Sequence, residues 1–276
     1  MYFRNALTEL LIKDNGYLPA TIQLIINTHY HSDHVGANAG LQKKYGINIA
    51  AHRWEAGLIN NNHPEAYCSR WLDRPVEPYI VNCLLSDGDE IETGTEIIRV
   101  MHTPCHTLGH ICLFLPATQA LICGDLLAEN DVGWLNIFRE GTASIEAAKD
   151  SLEKVAKLSL KRIYPGHGPV ITNPLETIDH ARSRLEKWLK DPEKAAWHAC
   201  KRIFTCTLMI KDGLPEGEID DYLMKCPWFN DFSTYIFNLK PIDFIRPLLQ
   251  EMLRSKAAHW QNNRLMPSTP YNRPFS

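Results

Sequence analysis

Thr28-His29-Tyr30-His31-Ser32-Asp33-His34-Val35-Gly36 gathers three imidazoles and a carboxylate into six residues, directly after the apolar run Ile22-Gln23-Leu24-Ile25-Ile26. The run predicts a buried strand. A strand that stops where these groups begin fixes their backbone, and the following loop can turn His29, His31, Asp33 and His34 toward one point instead of alternating them across a sheet. Neutral imidazole nitrogen and carboxylate oxygen are both ligands for zinc, and a mixed set also suits iron or manganese. The segment reads as half of a metal centre.

Working outward, matching groups recur at the ends of later apolar stretches. Glu96–Met101 predicts a strand through Ile97, Ile98 and Val100, and it delivers His102-Thr103-Pro104-Cys105-His106-Thr107-Leu108-Gly109-His110. Ile111–Leu115 and Ala120–Cys123 predict a hairpin whose second strand runs into Gly124-Asp125, and Arg162-Ile163-Tyr164 closes on Pro165-Gly166-His167-Gly168-Pro169. The collected candidates are His29, His31, Asp33, His34, His106, Asp125 and His167. Seven are too many for one tetrahedral zinc and suit two divalent ions, zinc with iron or manganese as alternatives, sharing a carboxylate and a water. His110, four residues after His106, is nominated either as a donor to an oxyanion or phosphate or as a partner of a neighbouring strand. His52, His63, His102, His180, His198 and His259 lack partners at ligand spacing, and Cys105 and Cys123 sit where a small apolar residue would serve.

Helices are predicted over Asn5–Lys13, from Val35 to Tyr45, over Arg53–Asn60 and Thr142–Leu158, and from Pro174 onward, the last opened by Asn173 as N-cap with Glu176 at the third position. The helix starting at Val35 would set its N-terminus against the metal loop, where oriented amides help hold an anion. The long stretch Asn61–Tyr79, with Tyr67, Trp71 and Tyr79, reads either as a lid or substrate wall or as a surface loop pinned by its aromatics. Asp131–Arg139 is a candidate pocket lining, with Arg139 able to meet a carboxylate or phosphate. Beyond Asp191-Pro192, helices over Glu193–Lys211, Glu216–Lys225 and Pro241–Ser255 precede a hairpin in Ala257–Met266 that turns at Asn262-Asn263. This suggests a winged-helix-like module over residues 191–276, following a metal domain over 1–190, with Ser268–Ser276 as an irregular tail.

The 276 residues carry a net charge of -3, which does not suggest a general polyanion binder, although residues 181–276 hold 15 Lys/Arg against 11 Asp/Glu. That small excess keeps RNA as an alternative partner to a small-molecule substrate. No apolar run approaches bilayer length, the start has no signal-peptide pattern, and the eight Cys show no CxxC. The expectation is a cytoplasmic protein with reduced, buried thiols and no membrane contact.

Taken together, Thr28–His34 as THxHxDH, His106 in TPxHT, Asp125 in GD after an apolar strand, and His167 in PGHG resemble the metallo-β-lactamase-fold hydrolases over residues 18–190. The resemblance implies an α/β (α+β) fold, an αββα sandwich with the site at one edge of two sheets. It implies that His29, His31 and His106 bind one metal, that Asp33, His34 and His167 bind the other, and that Asp125 bridges them. The C-terminal helices and hairpin are similar to those of the subgroup that includes the endoribonuclease called β-lactamase-like protein 2. The HxHxDH pattern with an Asp at the fourth motif is not that of true metallo-β-lactamases, so the namesake reaction is not expected. Family members usually have several strands and an Asp-Thr-Gly turn before the histidine strand. Here only 28 residues reach that point, so one sheet is expected to be N-terminally shortened. Its exposed edge would be met by the rest of a longer protein or by a second copy in a homo-oligomer.

No Ser-His-Asp or Cys-His arrangement offers a protein nucleophile. The expected chemistry is attack by a metal-bridging hydroxide on an electrophilic carbonyl or phosphorus, with Asp33 or Asp125 passing a proton to the leaving group. The leading expectation is a dinuclear hydrolase of a small ester, thioester or lactone. The alternatives are an RNA phosphodiester hydrolase and a non-catalytic metal-binding regulatory or interaction protein.

Overall fold

The computed structural model describes residues 2–271. The apolar run before the histidines forms β1 (Leu24–Ile26), and β2 (Asn48–His52) and β3 (Cys83–Leu85) continue a parallel sheet in the order β1-β2-β3. Parallel pairing needs crossover connections, and the helices Asn38–Tyr45 and Arg53–Asn60 supply them. In β2, Ile49, Ala50 and Ala51 are all fully buried, a continuous apolar run of the kind parallel strands show when both faces are covered.

The second sheet holds β4 (Glu90–Glu92), β5 (Ile97–His102), β6 (Ile111–Leu115), β7 (Ala120–Gly124) and β8 (Arg162–Pro165) side by side in chain order. Its pairs are antiparallel until β7 and β8, which are parallel across the helix Ala143–Ala156. Ala50 and Leu85 of the first sheet pack in one cluster with Val100, Ile111 and Leu113 of the second, so the sheets face each other across a common core. Each large aliphatic buried there contributes about 1.5–3 kcal/mol. The predicted strands and the β6–β7 hairpin are present, in the mixed α/β arrangement expected. The sheet that carries the histidine strand has three strands, with β1 and β3 at its edges.

One predicted helix is divided. Ser32–Val35 forms a separate turn that starts from His31, and the longer helix begins only at Asn38. The Asn38 side chain donates to Asn27 Oδ1 (2.9 Å), and Asn27 in turn donates to the Tyr79 hydroxyl (3.1 Å). This buried network holds the start of the helix to the end of β1. In the stretch 61–79, Tyr67 and Tyr79 are buried with ring centroids 5.8 Å apart, so these aromatics pin the loop from within.

The chain forms two compact units. The first contains the chain up to Arg70, Arg74–Gly133 and Ala143–Glu186. The second contains Trp71–Asp73, Trp134–Thr142 and the chain from Lys187 onward. In the second unit the helix Pro192–Ile210 buries Ala195, Ala199, Ile203, Phe204 and Leu208, and Phe229, Phe232 and Phe244 are likewise fully buried. Strands β9 (Leu214–Pro215), β10 (Ala258–Gln261) and β11 (Arg264–Pro267) make a sheet in the order β10-β11-β9. Asn262 and Asn263 form the two-residue turn with φ of 50° and 57°, a left-handed pair that Asn tolerates. The helix Pro227–Asp231, which runs on into a wider turn over Phe232–Ile236, and β9 add to the predicted elements, as do the short helix Ile137–Glu140 and, in the first unit, β3 and β4. Part of the predicted tail, residues 272–276, lies outside the described residues. Among those described, no helix is long and apolar enough to cross a membrane.

Candidate metal centre

The first unit brings the seven nominated ligands together at the ends of its strands. β1 ends at Ile26, and Asn27 still bonds through its amide to the Ala50 carbonyl (2.9 Å). Thr28 then accepts from the Ile111 amide (2.8 Å), which ties the histidine segment to the other sheet. His29 and His31 follow with 0% and 3% exposure. Asp33 and His34 sit on the Ser32–Val35 turn. His106 lies in the loop after β5, Asp125 directly follows β7, and His167 is the second residue after β8.

Between β7 and β8 the register shifts at Ile122/Gly124, and such an irregularity re-aims the next side chain. Gly124 sits at φ +48°, and a Cβ there would come within 2.8 Å of His110 Nε2 and of Thr28. The position needs glycine both for its backbone and for room. The Gly166 amide donates to the Gly124 carbonyl (2.8 Å), so the loops bearing Asp125 and His167 are joined directly.

Three overlapping groups result: His29, His31 and His106; His29, His34 and Asp125; and Asp33, His34 and His167. His34 Nε2 lies 3.3 Å from both His167 Nε2 and Asp125 Oδ1, His106 Nε2 is 3.4 Å from Asp125 Oδ2, and His167 Nε2 is 3.2 Å from Asp33 Oδ2. Two donors on one tetrahedral zinc stand about 3.3 Å apart, from zinc–nitrogen distances of about 2.0–2.1 Å. His31 Nδ1 and His106 Nε2 are closer, at 2.7 Å. His29 Nε2 is buried with no hydrogen-bond partner, a costly state for a polar atom unless something binds it. The donor set and this orphaned nitrogen fit a pair of divalent cations.

Electrostatics prepares the same groups. Burial first, then the neighbouring imidazoles, push His29 and His31 well below the ordinary histidine range, which keeps their lone pairs available. Burial alone would raise Asp33, but the bond from His167 and the charges of His34 and Arg74 hold it well below the usual carboxylate range. Asp125 is likewise lowered against its burial, chiefly by His34. His167 is raised to about 9 by its bond to Asp33.

His110 resolves toward the second of its two expected roles. It is fully buried, and its Nε2 accepts the Asp125 amide at 3.1 Å, so the hydrogen resides on Nδ1 and faces Thr103 Oγ1 at 3.0 Å. The Thr103 hydroxyl donates to Cys112 Sγ (3.3 Å), whose thiol points at the Cys123 carbonyl. Both ring nitrogens are thus engaged within the fold, and burial lowers the ring to about 3. In this structure His110 holds the Asp125 backbone amide.

Arg139 belongs to the second unit, its guanidinium 5.2 Å from the Trp71 ring centroid. His52 stacks on His102 at 4.1 Å and His198 packs on Trp188, and no group with metal-binding spacing among the described residues contains them. All eight cysteines are free.

Two buried charged residues escaped the sequence reading. Arg74 is 6% exposed, and its charge acts on Asp33 and His167. Glu55 is fully buried on the helix Arg53–Asn60. An acid on the same helical face as buried Ile59 was the available signal. Burial pushes Glu55 up to about 8, against the bonds from Thr107 and the Tyr30 backbone. The folded chain therefore holds a proton that the unfolded chain releases above its ordinary 4.5. Its contribution to stability is complete below that pH and is lost as pH rises through 8, by about 1.4 kcal/mol per unit at most. Glu55→Gln cannot ionise, so in chelator the variant should gain stability over the wild type as pH goes from 5 to 9. Urea unfolding of both proteins across that range measures the gap, and parallel curves would refute the assignment.

Known proteins can be set beside this geometry. The metallo-beta-lactamase superfamily model matches residues 3–167. A beta-lactamase-like protein 2 homolog from Caenorhabditis elegans is 31% identical over 178 residues, 63% of this chain and 50% of that protein. A hydroxyacylglutathione hydrolase from Brucella anthropi is 32% identical over 185 residues, 66% of this chain and 61% of that protein. The chain thus spans about half to three fifths of the length of these relatives. Among solved structures, a metallo-beta-lactamase family protein from Thermus thermophilus matches the fold with a TM-score of 0.55 at 21% identity, covering 94% of this chain and 84% of that one.

Proposed function

Because the chain belongs to the metallo-beta-lactamase superfamily, we propose that it is a dinuclear metal-dependent hydrolase of a small acyl substrate, with a thioester ahead of an ester or lactone. The observation that carries this reading is the convergence of His29, His31, Asp33, His34, His106, Asp125 and His167 at one end of the paired sheets. Relatives called hydroxyacylglutathione hydrolases, at 30–33% identity, put the thioester first.

His29, His31 and His106 would hold one cation, Asp33, His34 and His167 the other, and Asp125 would lie between them. Zinc suits this nitrogen and oxygen set, with iron and manganese as alternatives. Bound, the cations supply Lewis acidity, which acidifies water near neutral pH and polarises the scissile carbonyl. The chain's own contribution is to keep the inner imidazoles neutral, the two carboxylates ionised and Asp125 fixed through His110. Asp33, 30% exposed at its side chain and 3.2 Å from His167, is the ionised carboxylate placed to accept a proton from the attacking water and return it to the leaving group.

The test is turnover of a hydroxyacylglutathione thioester, a chromogenic ester, a lactone and single-stranded RNA by metal-loaded protein, the RNA at two salt concentrations. The thioester should lead by about tenfold or more in kcat/KM, since differential transition-state binding of about 1.4 kcal/mol suffices for that ratio. RNA cleavage that weakens steeply with salt would favour the phosphodiester alternative. Protein that holds two metals and turns over none of the four would favour a regulatory or interaction role.

A further inference from the structure

Glu55 lies behind the three-histidine group and takes no part in the chemistry above. The Thr107 hydroxyl donates to its Oε1 at 2.6 Å, and the Tyr30 backbone amide bonds to the same carboxyl. Thr107 follows His106, and Tyr30 stands between His29 and His31. The loop over Cys105–His110 presses on this side chain closely: a Cβ on Gly109 would overlap the Glu55 Cγ and lie 3.3 Å from the Glu55 amide nitrogen. The other carboxyl oxygen, Oε2, is buried without a hydrogen-bond partner. Among the described residues Glu55 has no salt bridge, so nothing about the site is explained by its charge; what it offers is an acceptor held between two loops.

We infer that Glu55 is a positioning residue that sets the spacing of His29, His31 and His106 by binding both histidine loops from behind through one buried carboxyl. This rests on the proposed metal centre and adds to it a residue that no ligand pattern would reveal. Groups that orient the carriers of metal ligands commonly change metal affinity 10–100-fold when removed. Because an acceptor is what the two loops need, an amide in the same place should serve nearly as well as the acid.

The experiment uses zinc alone as the probe, on the full chain. Zinc affinity by competition with a chromophoric chelator, the ligand-field spectrum of the cobalt(II)-loaded protein and the thermal midpoint are measured for the wild type, Glu55→Gln, Glu55→Leu and Thr107→Val. Glu55→Leu should bind the tighter ion about 10–100-fold more weakly and alter the cobalt spectrum, and Glu55→Gln should stay within about threefold of the wild type. Thr107→Val, which deletes one of the two donors and keeps the shape, should fall between them and decides the matter if Glu55→Leu does not fold. Folded Glu55→Leu or Thr107→Val with wild-type affinity and spectrum overturns the inference, as does Glu55→Gln failing as badly as Glu55→Leu. A wild type that binds no zinc would instead overturn the proposed function, so the two failures are told apart.

Discussion

Replacing His31 by alanine should lower the metal content of purified protein from about two ions toward one and reduce thioester turnover by at least the roughly 10²–10³-fold that loss of a single electrostatic donor costs. The side chain is 3% exposed, its Nδ1 is 2.7 Å from His106 Nε2, and its ring centroid is 5.0 Å from that of His29. Removing it leaves two imidazoles where three converge and opens a gap that cannot be refilled from the backbone. Stability should change less than activity, because the metal-free fold gains nothing from crowding three neutral rings that disfavour each other's protonation. Metal analysis by mass spectrometry, alongside kcat/KM, checks this directly. Unchanged metal content and turnover would show that His31 is not a ligand.

Gly166→Ala is expected to damage the centre nearly as much without removing any ligand. A Cβ at this position would stand 2.5 Å from Asp125 Oδ1 and 2.6 Å from His34 Cε1, distances that real Cβ contacts do not show. The Gly166 amide is tied to the Gly124 carbonyl, so the backbone is poorly able to retreat, and the added methyl must displace Asp125 or His34 instead. Steric intrusion into a well-packed site costs about 1–3 kcal/mol, and here it falls on Asp125 and His34, two of the proposed ligands. Turnover should drop by about 100-fold or more, with metal content reduced and the circular dichroism spectrum retained. A variant with full activity would mean that the PGHG loop does not press on the centre as the structure has it.

The strand that ends at the histidine cluster, the β6–β7 hairpin, the Asn173-Pro174 helix start and the Asn262-Asn263 turn were all legible because each depends on neighbours in sequence. So was the gathering of the seven nominated side chains, since every one follows a readable strand end. What local pattern could not carry was which partner each group meets. His110 offered two roles until the Asp125 amide was found on its Nε2, and Glu55 looked like any acid on a helix until Thr107 and Tyr30 arrived from 52 and 25 positions away. The division of the helix after Val35 turned on the Asn27–Asn38 bond, a side-chain contact with no periodic signature. The segment Pro227–Ile236 carries no readable period because a five-residue helix, Pro227–Asp231, runs straight into a wider turn over Phe232–Ile236.

The two halves of the centre differ in their access to water: His29, His31 and His106 are sealed, whereas the His167 side chain is 58% exposed and that of Asp33 is 30% exposed. In the proposed dinuclear centre the inner berth is shielded from solvent, and the outer one would exchange its ion with the surroundings more readily.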